Sequence, residues 1–184
     1  MGFGTALTAS VVIMIAAIAS VRAYPKGAPP GSTGGFGEQT CNECHDSYAL
    51  NAGRAMGLGD VVVTGFPQEY KAGQTYPIKV EITQQQDMGA WGFQLATRAK
   101  DTHAQAGILK PTNGNTQILS LQNIDYITHT ADGTFSNVFE FTWEAPANAV
   151  GDIVVNTAAN AANGDASPVG DYIYSTSLSM SPSH

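Results

Sequence analysis

Between residues 60 and 178 apolar and polar positions alternate along the chain. Tyr76, Ile78, Val80 and Ile82 are separated by Pro77, Lys79 and Glu81, and Phe139, Phe141 and Trp143 by Glu140 and Thr142. Successive side chains of an extended strand point to opposite faces, so each run predicts a strand with one buried face. Runs of the same kind occur at 61–66, 91–97, 118–127, 153–158 and 172–178. Turn clusters such as Asn113-Gly114-Asn115, Ala131-Asp132-Gly133 and Asn163-Gly164-Asp165 separate them. Seven or eight short strands punctuated in this way predict a mainly β chain folded as an antiparallel β-sandwich. The aromatic residues Trp91, Phe93, Phe139, Phe141 and Trp143 are expected to fill its core.

The first third of the chain follows another pattern. Residues 6–20 form an unbroken apolar run, short for a bilayer span, and Val21-Arg22-Ala23 resembles a small-residue cleavage site. We therefore expect residues 1–23 to be a signal peptide removed after Ala23, leaving no membrane span and placing the protein in the periplasm or outside the cell. The start, Met1 to Thr5, lacks Lys and Arg, which keeps an uncleaved anchor as the alternative. Residues 24–59 read as a lead-in and attachment segment, and 60–184 as the sandwich. Positions 28–37 hold too many Gly and Pro for a helix.

Both cysteines of the chain lie in Thr40-Cys41-Asn42-Glu43-Cys44-His45. C-x-x-C-H is the attachment signature of a c-type haem. Two thiols at this spacing reach the two vinyl groups of one porphyrin, and the adjacent imidazole ligates the iron. One covalent haem c held by Cys41, Cys44 and His45 is thus expected, on a short loop or helix over 41–48 with Thr40 as N-cap. A disulfide or redox dithiol is one alternative, but a redox dithiol calls for a βαβ setting. Half of a zinc site is another, but no further Cys supplies a second ligand pair.

The opposite face of the iron takes a second ligand or stays open. His129, before an Asp-Gly turn, is the first choice for that ligand and Met88 the alternative, followed by Met56 and His103; His184 is terminal. Tyr48 and Phe36 flank the attachment string and are expected to touch the porphyrin. Asn160 and Asn163 read as turn residues that satisfy backbone groups.

Gly65-Phe66-Pro67, residues 70–76, Gly92-Phe93-Gln94-Leu95, residues 126–130, residues 141–146 and residues 159–164 leading to Asp171-Tyr172-Ile173-Tyr174 occur in an order and spacing that resembles a known group. These are exported bacterial proteins in which a C-x-x-C-H segment precedes a Reeler-like β-sandwich. The resemblance extends over about residues 37–180 and implies an immunoglobulin-like sandwich with one covalent haem.

Composition narrows the functional classes. Lys and Arg number 8 against 15 Asp and Glu, a net charge of −7, which argues against a nucleic-acid partner. The expected function is that of an exported monohaem c-type cytochrome in single-electron transfer, without catalysis of its own. Its partners would be redox proteins such as other cytochromes, or an extracellular donor such as ferrous iron. The alternatives are a haem-based sensor or peroxidase-like protein with an open sixth site, and an adhesion or interaction module. Peroxide chemistry calls for a distal base and a cationic helper, and no such pair stands out. Only 12% of residues are charged, so little repulsion opposes pairing of strand edges into a homo-oligomer or filament.

Overall fold

The computed structural model describes residues 24–183. The expected signal peptide, 1–23, and His184 lie outside the described residues. Ten strands follow in chain order: β1 (Gly59–Thr64), β2 (Glu69–Tyr70), β3 (Thr75–Gln84), β4 (Ala90–Ala99), β5 (Ile108–Pro111), β6 (Thr116–Leu121), β7 (Ile124–His129), β8 (Val138–Glu144), β9 (Ile153–Ala162) and β10 (Tyr172–Pro182). They form two sheets, one in the order β1-β3-β8-β5 and one in the order β2-β10-β9-β4-β7-β6. All pairings are antiparallel except that of β2 with β10. The mainly β sandwich predicted from the alternation is the fold observed.

The alternating residues close the core between the sheets. Ile78, Val80 and Ile82 of β3 and Phe139, Phe141 and Trp143 of β8 are buried, and meet Phe93, Leu95, Val155, Ala159 and Tyr174 from the second sheet. Trp143 Nε1 donates to the Ala106 carbonyl at 3.0 Å, which satisfies the one polar atom of the largest core side chain. Two details differ from the sequence pattern. The run 118–127 is a hairpin, with β6 and β7 joined by Gln122 and Asn123 at positive φ (50° and 63°). The expected helix over 41–48 is a single 3-10 turn, Cys41–Glu43, in which Thr40 Oγ1 accepts from the Asn42 N–H at 3.2 Å. A short helix, α1 (Ala52–Ala55), follows it.

The outer face of the larger sheet is covered as well. Strand β4 is buried on both sides from Gly92 to Thr97, an unusual condition for an antiparallel sheet. The cover is the N-terminal segment, which has no strand of its own and is tied down by side chains. Gln94 Nε2 donates to the Ala28 and Pro29 carbonyls, both at 3.0 Å, and its Oε1 accepts from Ser32 N–H at 2.7 Å. Gln117 Nε2 donates to the Lys26 carbonyl at 2.6 Å. Glu38 accepts from Arg98 at 2.8 Å and from the Tyr126 hydroxyl at 2.5 Å. Backbone groups of an irregular segment are thereby paired without a ladder.

Candidate cofactor cleft

Between this segment and the sheet lies a cleft of about 390 Å³. Its walls bring together Cys41, Cys44 and His45 from the attachment string, Tyr24 and Pro25 from the lead-in, and Trp91, Gly92 and Phe93 from β4. His129 closes one end, and Asn160 of β9 and Asp171 before β10 line another wall. Most of its surface is apolar, as suits a flat hydrophobic guest.

His45 is oriented by residues far away in sequence. Its Nδ1 lies 2.7 Å from Asp171 Oδ2, and the Asp171 carboxylate is fully buried. The other carboxylate oxygen, Oδ1, accepts from the Asn163 N–H at 3.0 Å. A carboxylate on Nδ1 fixes the tautomer with the proton there and leaves Nε2 as a lone-pair donor, the usual second-sphere arrangement of a ligating histidine. Asn160 Nδ2 lies 3.3 Å from the same Nδ1, and its buried Oδ1 has no hydrogen-bond partner among the described residues.

Both thiols are free. Burial pushes the Cys41 thiol up to about 12, so it is protonated at neutral pH. A nucleophilic redox thiol needs the opposite shift, toward the thiolate, so Cys41 does not have the character of one.

His129 lies in the cleft with both ring nitrogens engaged. Its Nδ1 accepts from Phe93 N–H at 3.1 Å, and Nε2 is 3.1 Å from the Tyr24 carbonyl, to which it donates. Burial pushes this imidazole below the ordinary histidine range, consistent with a neutral ring that accepts on one nitrogen and donates on the other. Gly92 makes room for it, since a Cβ there would stand 2.7 Å from the ring.

The other expected residues lie elsewhere. Met88 packs against the core, Met56 is exposed after α1, and His103 lines a separate cavity together with Phe36. Tyr48 stacks on Tyr172 with centroids 4.3 Å apart. Neither Tyr48 nor Phe36 therefore contributes to the cleft; Tyr24, Trp91 and Phe93 line it, the Phe93 ring itself packing in the core on Phe139 and Phe141. Sequence reasoning missed Asp171 and gave Asn160 a backbone role. Both stand in the strings that carry the resemblance, which was the available signal.

The Reeler domain pattern matches residues 59–163, more than half of the chain. This chain belongs to the Reeler domain family. Among solved structures, the Reeler chain is similar to the human F-spondin reeler domain at 18% identity and a TM-score of 0.50, covering 68% of this chain and 88% of that one. The Reelin-N domain of F-spondin is similar at 18% identity and a TM-score of 0.49, covering 68% and 86%. The likeness to the first of these shows the shared fold. Among curated proteins none matches the chain.

The match corrects the class expected from the attachment string. An electron-transport cytochrome with iron as its defining ligand is replaced by a Reeler domain as the body of the protein. Among the described residues, moreover, no group of three or more His, Cys, Asp and Glu side chains is placed to hold a metal ion.

Proposed function

We propose that this protein is a Reeler-type interaction module, acting outside the cytoplasm, whose N-terminal segment holds one covalent haem c in the cleft. The observation that carries the cofactor is the convergence of Cys41, Cys44 and an Asp171-oriented His45 on one apolar cleft. Each thiol adds across a vinyl double bond, forming a C–S bond while its hydrogen goes to the neighbouring carbon, so no oxidant is consumed. The donor set fits: two reduced thiols, one imidazole held through Nδ1 and with no partner on Nε2 among the described residues, and an Asn160 Oδ1 unpartnered among them. When bound, haem would supply a ligand-binding iron, with His45 the residue placed to hold it. The chain's own part is to fix the porphyrin, orient His45 and exclude water.

The family supports the interaction role. Edge strands β1, β5 and β6 present Val62, Ile108 and Leu121, each more than two-fifths exposed, as surfaces a protein partner or a second copy would cover. The deciding experiment is a pyridine haemochrome spectrum and haem stain of the exported protein on a denaturing gel. Haem that stays with the chain, and is lost in Cys41→Ser/Cys44→Ser, is the expected result. A wild-type chain without haem overturns the cofactor and leaves an interaction module with two plain thiols.

A further inference from the structure

We infer that removal of residues 1–23 frees the α-amino group of Tyr24 in the cleft, where it is a second protein ligand, besides His45, for the haem iron. This rests on the haem reading above and names the ligand that completes its site. Hydrolysis of the Ala23–Tyr24 bond adds hydroxyl to the Ala23 carbonyl carbon and hydrogen to the Tyr24 nitrogen, converting a peptide nitrogen into a primary amine.

Elimination is the first support. Of the cleft side chains, His129 has both nitrogens occupied by Phe93 and Tyr24, and Cys41 and Cys44 are spent on the porphyrin. Indole and carboxamide nitrogens do not offer a basic lone pair, which removes Trp91, Asn160 and Gln39. Met88, Met56 and His103 are not in the cleft. An amine at position 24 is the remaining basic nitrogen donor among the residues that line the cleft.

Placement is the second. A chain terminus ordinarily frays, yet Tyr24 is held. Its carbonyl accepts from His129 Nε2 at 3.1 Å and from Gly27 N–H at 3.2 Å. Pro25 follows, so the backbone of Tyr24 is restricted to extended conformations. The following residues are tied to β4 and β6 through Lys26, Ala28 and Pro29. Gly27 at φ 106° lies so close to β7 that an added Cβ would meet Thr128 Cγ2 at 2.9 Å. His129 is thus a positioning residue that holds Tyr24 at the cleft. An α-amine, with an ordinary pKa near 7.7–8.0, gives up its proton more readily than a lysine, so a lone pair is accessible near neutral pH.

The test uses the exported holoprotein. Mass spectrometry of the mature chain should find Tyr24 first. The reduced protein should show low-spin bands that ignore carbon monoxide. Insertion of one Gly between Ala23 and Tyr24 displaces the amine by about 3.8 Å, and should give a high-spin species that binds carbon monoxide at unchanged haem content. In the wild type, amine-directed dimethylation under native conditions should spare Tyr24 and label it after unfolding, a readout that needs no variant. A different first residue, a labelled native Tyr24 amine, a high-spin wild type, or an insertion variant with the wild-type spectrum overturns the inference. A wild type without haem overturns the cofactor reading instead, so the two failures are separable.

Discussion

At residue scale the site depends on two side chains placed by absence and by distance. Gly92 has no Cβ, and the His129 imidazole occupies the space, within 2.7–3.2 Å of where that carbon would be. Gly92→Ala should therefore cost about 1–3 kcal/mol by overpacking. In a His129→Ala background the same substitution should cost much less, and a double-mutant cycle read by thermal melting checks the coupling. Asp171→Ala strips His45 Nδ1 and Asn163 N–H of their buried acceptor and should destabilise the fold by about 1–3 kcal/mol. It should also leave His45 free to rotate, seen as broadening of its ring resonances. That Cys41, Cys44 and His45 share one cleft was legible because they are contiguous in the sequence. Asp171 was not, because it meets His45 across 126 residues and only the folded sheet brings them together.

At the scale of elements, alternation located β3 and β8, where one side chain in two enters the core, and apolar runs located β4, β9 and β10. It failed where turn chemistry carries no Gly or Pro. Gln122 and Asn123 form a two-residue turn at positive φ, a conformation that favours an Asn followed by a Gly, so the two strands read as one. The double substitution Gln122→Asn with Asn123→Gly should remove side-chain strain and raise stability by up to about 1 kcal/mol, measurable by urea denaturation. The Gly and Pro of the lead-in exclude a helix, but what holds the segment was not legible. Its anchors are Gln94, Gln117 and Glu38, two on strands and one in the segment itself. Glu38→Ala leaves the largely buried Arg98 and the Tyr126 hydroxyl without their shared acceptor. It should loosen the strap and raise amide exchange in residues 24–45 more than in β3 and β8, which hydrogen-exchange mass spectrometry resolves.

For the whole molecule, the strap converts the outer sheet face into a second interior, and that interior titrates. Burial, the hydrogen bond to Glu38 and the Glu38 charge all hold the Tyr126 proton well above the ordinary tyrosine range, opposed by Arg98. In the core between the sheets, burial likewise raises Tyr172 and Tyr174. In the unfolded chain these phenols ionise near pH 10. Above that pH the unfolded state binds fewer protons than the folded one, so stability falls as pH rises, while below it these groups contribute no slope. A free Cys41 thiol, raised to about 12 from an ordinary value of 9.0, adds the same sign of slope one unit earlier. Melting temperature should therefore start to fall near pH 9 in protein whose Cys41 is a free thiol, and only near pH 10 where Cys41 is a thioether. Tyr126→Phe should flatten the decline above pH 10 and leave its onset near pH 9 unchanged. A melting curve with the same onset in both forms would refute the burial of Cys41 as a source of alkaline sensitivity.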